Sequence, residues 1–206
     1  MLIKEVTNPH ELNKLDIDPD DLRYPLYVPA IEKYSGTSAD LSNYLHQLYR
    51  NPKTSSKKNK ELAQMLDDLM FNHPIKQNVT LYYGLSESPS RIWVKYKVPF
   101  DQPVTVHFPG FISSSTSIYT AESFSRYDYY LKGNLLQHIS KRNVLIIKVP
   151  AGTPGVSVKQ FSMYEEENEI LLARGLDIKI YPNPKMRGDF LYWRSEVVGH
   201  NPQEIT

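Results

Sequence analysis

At 206 residues, with 40% apolar and 12% aromatic side chains, the chain is long enough for one domain with a substantial core. A formal net charge of +1 gives no general attraction to nucleic acid or to an anionic membrane. With no cysteine there is no disulfide framework and no thiolate zinc site, and no apolar run approaches the length that crosses a bilayer.

The opening residues MLIKEVTNPHEL lack the apolar stretch of a secretory signal. The expected place of action is therefore the cytoplasm of the cell that makes the chain or receives it. Residues 1–77 read as a helical part. Thr37 is placed to cap a helix over residues 38–50, whose Leu41, Tyr44, Leu45 and Leu48 recur at helical spacing. A second helix is expected over 59–71, with Leu62, Met65, Leu66 and Leu69 on one side and Pro74 closing it. Residues 51–58, rich in lysine and serine, read as an exposed linker.

From residue 78 the pattern changes to short β-prone runs. Strands are expected at 79–83, 92–98, 104–108, 143–149, 156–160, 170–172, 177–181 and 190–198. One amphipathic helix, over 119–131, interrupts them. Helices first and strands later predict a single α+β domain: a 1–77 helical part packed on a mostly antiparallel, β-rich 78–206 core.

Metal binding finds no support, since His10, His46, His73, His107, His138 and His200 are scattered without an i, i+4 pair. Phosphate-cradling glycine loops and a GxSxG elbow are absent as well. Two polar stretches remain. Four carboxylates, Glu165, Glu166, Glu167 and Glu169, fall within five residues and run into Ile170-Leu171-Leu172. If this stretch is extended, Glu167 and Glu169 share a face. Taken alone it is a solvated charge run. The serine run Ser113-Ser114-Ser115 after Phe111-Ile112 is, taken alone, a polar loop.

In their order along the chain these stretches resemble the arginine-directed mono-ADP-ribosyltransferases of the R-S-E type. That group includes the enzymatic components of binary actin-modifying toxins, the insecticidal vegetative toxins and, more distantly, T-even phage host-modifying enzymes. The resemblance spans about residues 28–182. Tyr34-Ser35-Gly36 followed by Leu41-Ser42-Asn43-Tyr44-Leu45 is similar to the helical region of those toxins. Phe111-Ile112-Ser113-Ser114-Ser115 is similar to their Phe-x-Ser-Thr-Ser motif, and Tyr164-x-x-Glu167-x-Glu169 to their aromatic-x-x-Glu-x-Glu turn. One position departs: the family carries Arg before the first glycine, where this chain has Tyr83 before Gly84.

The resemblance implies a two-sheet ADP-ribosyltransferase core with a cleft for NAD, used as co-substrate without a metal. It implies transfer of ADP-ribose to an arginine of a protein target, with release of nicotinamide. Breaking the nicotinamide–ribose bond builds positive charge on the sugar, which a fixed carboxylate in a water-poor cleft stabilises. That role falls to Glu169, held by the Ser113 hydroxyl. Glu167 is implied to engage the acceptor guanidinium and take its proton, and Tyr164 to contact the target. Tyr83, Gly84, Ser115 and Phe124 are expected around NAD. With the family Arg missing, Arg91, Arg126 and Arg142 are the candidate partners of the pyrophosphate. Two other readings stay open: an NAD glycohydrolase that uses water as acceptor, and a non-catalytic binding protein on the same fold.

Overall fold

The computed structural model describes residues 28–32, 34, 41, 44, 45, 47, 56–132, 135–159 and 165–202. Thr37, most of the expected linker and Tyr164 lie outside the described residues. Helix α1 (Lys57–Asn72) buries Leu62, Ala63, Leu66, Leu69 and Met70 along one stripe. Met65, expected on that stripe, is 40% exposed. The stripe packs with the buried, helical Ala30, Ile31, Tyr34, Leu41, Tyr44 and Leu45 against Val156, Val158, Leu171 and Ala173. A partly buried ion pair ties the two layers: the Arg174 Nη2 donates to Asp67 Oδ2 at 2.7 Å.

The remaining elements are β1 (Val79–Leu85), α2 (Ser90–Tyr96), β2 (Val104–Phe108), β3 (Ile112–Ser115) and α3 (Ile118–Phe124), followed by β4 (Tyr127–Lys132) and β5 (Leu135–Val149). Then come β6 (Gly155–Ser157), β7 (Glu169–Leu172), β8 (Leu176–Ile180), β9 (Lys185–Arg187) and β10 (Phe190–His200). They form one ten-stranded sheet in the order β2-β8-β10-β5-β1-β3-β7-β6, with β4 on β5 and β9 on β10. Pairing is antiparallel except between β5 and β10. The expected two sheets are two lobes of this ladder. β1 meets β5 over seven residue pairs but meets β3 only at Tyr82↔Ser115. At that single-pair junction the lobes separate and a cleft opens.

Three expectations fail for local reasons. Residues 92–98 alternate like a strand, yet Ser90–Tyr96 is helical. Val94, at the centre of the alternating set, is 54% exposed, while Trp93 is buried, stacks on Trp193 and donates Nε1–H to the Gln102 carbonyl. Lys97 at φ 54° closes the helix, with its own N–H and that of Val98 returning to the Val94 and Trp93 carbonyls. The helix expected over 119–131 stops at Phe124 because the Arg142 guanidinium donates to the carbonyls of Glu122, Ser123 and Ser125. The tyrosine-rich residues beyond it enter β4, which pairs with an N-terminal extension of β5. The strand expected at 156–160 is shorter, ending at Ser157.

Gly84 lets α3 lie on β1. A Cβ there would stand 2.3 Å from the Ala121 carbonyl oxygen and 2.8 Å from the Ser125 nitrogen, both backbone atoms. Gly84→Ala is therefore expected to lower the unfolding free energy by about 1–3 kcal/mol through overpacking. A denaturant titration reads this as a lower midpoint with the slope unchanged. An unmoved midpoint would show that the helix can back away from the strand.

Candidate active site

The cleft between the lobes has a volume of about 570 Å3, within the range of ligand sites. Its first wall is the end of β1, through Tyr82, Tyr83 and Gly84, and its second is β3. Thr120, Ala121 and Phe124 of α3, then Arg126, close one side; Glu167 and Glu169 close the other. Ser113 and Glu169 lie diagonally across the β3–β7 ladder, where Ser113 faces Leu171 and Ser115 faces Glu169. The Ser113 hydroxyl donates to Glu169 Oε1 at 2.5 Å. A hydrogen bond to a charged group contributes about 1.5–3 kcal/mol, enough to hold one rotamer.

The other two serines hold the backbone. Ser114 Oγ donates to the Ile170 carbonyl and Ser115 Oγ to the Glu167 carbonyl, each at 2.6 Å. Ser115 Oγ also accepts the Ser117 N–H, and Ser117 in turn caps α3 by accepting from the Thr120 N–H. The serine run is thus a bracket that joins the acidic turn, the strand and the helix.

Glu169 is 9% exposed. Burial pushes its carboxyl above the usual carboxylate range, the Ser113 bond pulls it back, and the charge of Glu167 adds to the rise. Glu167, more open, is also raised, first by burial and then by Glu166. The two acids meet by a route different from the expected strand alternation. Residues 165–167 form a single 3-10 turn, Asn168 is left-handed at φ 46°, and only Glu169 begins β7.

The basic candidates separate. Arg126 lines the cleft. Arg142 does not; its guanidinium caps α3 and lies over the Phe190 ring at 4.9 Å. Arg91 is held by Asp128, Nη2 to Oδ1 2.5 Å, and is likewise outside the lining. Tyr83 is half-buried, its ring edge-on to Phe108, and burial pushes its phenol up. In the sequence Tyr34 is only part of a helical motif. Burial drives its phenol upward, with added pushes from Glu169 and Tyr83, and its ring meets Phe111 edge-on at 6.3 Å. Its place on the buried helical face is the available signal.

The sequence pattern described as ADP-ribosyltransferase exoenzyme matches residues 27–189. The chain belongs to that family. NAD-dependent transfer of ADP-ribose is accordingly its activity, and protein targets are the acceptors of the toxin ADP-ribosyltransferases. Solved structures carry the same fold at low identity. An ADP-ribosyltransferase from Clostridium botulinum is 15% identical, with 92% of this chain and 91% of that one covered at TM-score 0.64. The Vis toxin from Vibrio splendidus, in complex with agmatine, is 18% identical over 93% and 82%, at TM-score 0.63. An ADP-ribosyltransferase toxin from Paenibacillus larvae is 16% identical over 92% and 90%, at TM-score 0.60. A comparison with curated protein sequences finds no match. Among the described residues no helix is long and apolar enough to cross a membrane, and no cluster of metal-ligating side chains occurs.

A buried acid in an ADP-ribosyltransferase has a thermal signature. With its carboxyl raised, folded Glu169 binds its proton more tightly than the unfolded chain does. Its contribution to stability is full below the unfolded pKa and is lost as pH rises through the folded one. Glu169→Gln has no such loss. At neutral pH it should melt at or above wild type, with the advantage shrinking toward about pH 4. A lower melting temperature at pH 7 would identify the carboxylate as a net stabiliser.

Proposed function

We propose that this ADP-ribosyltransferase moves ADP-ribose from NAD to an arginine side chain of a protein. The observation that carries the reading is the Ser113–Glu169 hydrogen bond on the cleft wall that also bears Glu167. In this reading the C1′–N bond of the nicotinamide ribose breaks, and nicotinamide leaves neutral with the bonding pair. Glu169, ionised and oriented by Ser113, stabilises the positive charge that grows on the sugar through the ribose 2′-hydroxyl. Tyr83, Gly84, Ser115 and Phe124 surround NAD, and Phe124 offers an aromatic face to a ring. Arg126 meets the pyrophosphate, whose charges need a cation in a desolvated cleft.

Glu167 supports arginine as the acceptor. A guanidinium pairs well with a carboxylate and must lose a proton as it attacks C1′. Burial and Glu166 make Glu167 a better proton acceptor than an ordinary carboxylate. Tyr164, three residues before it, is proposed to touch the target. Because NAD is the co-substrate, the cytoplasm of the cell that makes or receives the chain is the proposed place of action.

Tyr83 favours a second reading, in which the fold binds a partner without turnover, because it puts a phenol where the family carries a cation. Nicotinamide release separates the two. Glu169→Gln is expected to lower all NAD cleavage by about 10²–10³-fold. Glu167→Gln should spare slow hydrolysis and lose transfer to agmatine, a small guanidinium acceptor. Equal behaviour of the two variants would refute the division of roles. Wild type without any nicotinamide release would leave the binding reading in place.

A further inference from the structure

The acidic turn changes direction at one residue. Glu167 ends a 3-10 turn, Glu169 opens β7, and Asn168 between them is left-handed at φ 46°. Around it the backbone is fixed carbonyl by carbonyl. The Glu167 oxygen accepts from Ser115 Oγ, the Asn168 oxygen from the Thr116 N–H, the Glu169 oxygen from the Val158 N–H and the Ile170 oxygen from Ser114 Oγ. The Glu166 oxygen accepts from Asn168 Nδ2 at 3.1 Å. That last bond is the local contact by which a short amide side chain offsets the left-handed conformation.

We infer that Asn168 is the positioning residue for the acceptor: its left-handed backbone sets Glu167 against Glu169 and so shapes the space a guanidinium must enter. The inference rests on the proposed roles of the two acids. Its physical content is independent of them. An extended residue 168 would put Glu167 two positions up a strand, about 7 Å along it. With a left-handed residue the chain folds back instead, and both acids line one cleft. The Asn168 side chain is directed to Glu166 and is absent from the cleft lining, so it acts through the backbone it stabilises. Glu169 needs no such help, because Ser113 and the β3–β7 ladder already hold it. Changing residue 168 should therefore disturb Glu167 selectively.

Asn168→Gly keeps positive φ accessible, whereas Asn168→Val makes it unfavourable and Asn168→Ala is intermediate. For each, nicotinamide release without acceptor and transfer to agmatine are measured, with kcat and KM separated. Asn168→Gly should retain the wild-type ratio of transfer to hydrolysis. Asn168→Val should lower that ratio by about tenfold or more, on the scale of an ångström misplacement, with hydrolysis retained. Asn168→Ala should fall between them and decides the matter if the valine chain does not fold. An unchanged ratio in the alanine and valine variants overturns the inference. So does an equal loss in the glycine variant, or a parallel loss of hydrolysis and transfer.

If wild type cleaves no NAD, the functional reading fails, and carboxyl-carbon NMR still decides this point. The Glu169 titration should overlay wild type in Asn168→Gly and shift downward in Asn168→Val, as Glu167 moves away. Superimposable titrations in all the chains would overturn the inference.

Discussion

A carboxylate set into the wall of an apolar core is the constraint around which this structure is arranged. Glu169 sits at the first position of β7, directly before the fully buried Ile170, Leu171 and Leu172. Removing such a group from water costs several kcal/mol unless its oxygens find partners. The Ser113 hydroxyl is the partner seen here, and it can arrive only because β3 runs antiparallel beside β7 in one register. A slip of one residue would turn Ser113 to the other face. Ser114 and Ser115 hold that register by bonding carbonyls on either side of Glu169. The same cost keeps the carboxyl's proton affinity high, so stability and charge pull in opposite directions at this residue.

The cleft in front of Glu169 follows from how the sheet is joined. One lobe, centred on β5, is held by long ladders to β1 and β10. The other, β3-β7-β6, is held from behind by the helical layer through Leu171, Val156 and the Asp67–Arg174 pair. Between them stands one residue pair, Tyr82↔Ser115. Helix α3 covers part of the gap, seated on Gly84 and capped by Arg142. That capping answers a question about charge, because a guanidinium satisfying three helix-end carbonyls is committed to the fold. Arg126, one residue past Ser125, is left at the cleft wall.

The serine triplet and the acidic pair were legible because residue types, order and alternation agree on β3, and the register then follows from the apolar residues that flank it. The place of the helical residues was legible from three-four spacing. Other features were hidden by local rules that composition does not carry. The alternation of Ile92, Val94 and Tyr96 imitates a strand, and only the stacking of Trp93 on Trp193 shows that the helix is favoured. The end of α3 depends on Arg142, seventeen residues after Ser125, so no local signal announced it. The convergence of Glu167 and Glu169 was expected for the wrong geometric reason. A left-handed Asn168 brings them together, and asparagine is, after glycine, the residue most at home there. Tyr83 remains the position where sequence and family part. The structure keeps it half-buried in the cleft wall, edge-on to Phe108, and places Arg126 in the same lining.

The most direct test of the central claim is a structure of the chain bound to an NAD analogue whose nicotinamide ribose is carbocyclic and cannot be cleaved. The account predicts the nicotinamide-side ring in the cleft between the lobes. Its 2′-hydroxyl should bond to Glu169 while Ser113 keeps its bond to the same carboxylate, and the pyrophosphate should lie against Arg126. An analogue bound elsewhere, or one lying in the cleft with the pyrophosphate at Glu169, would contradict it.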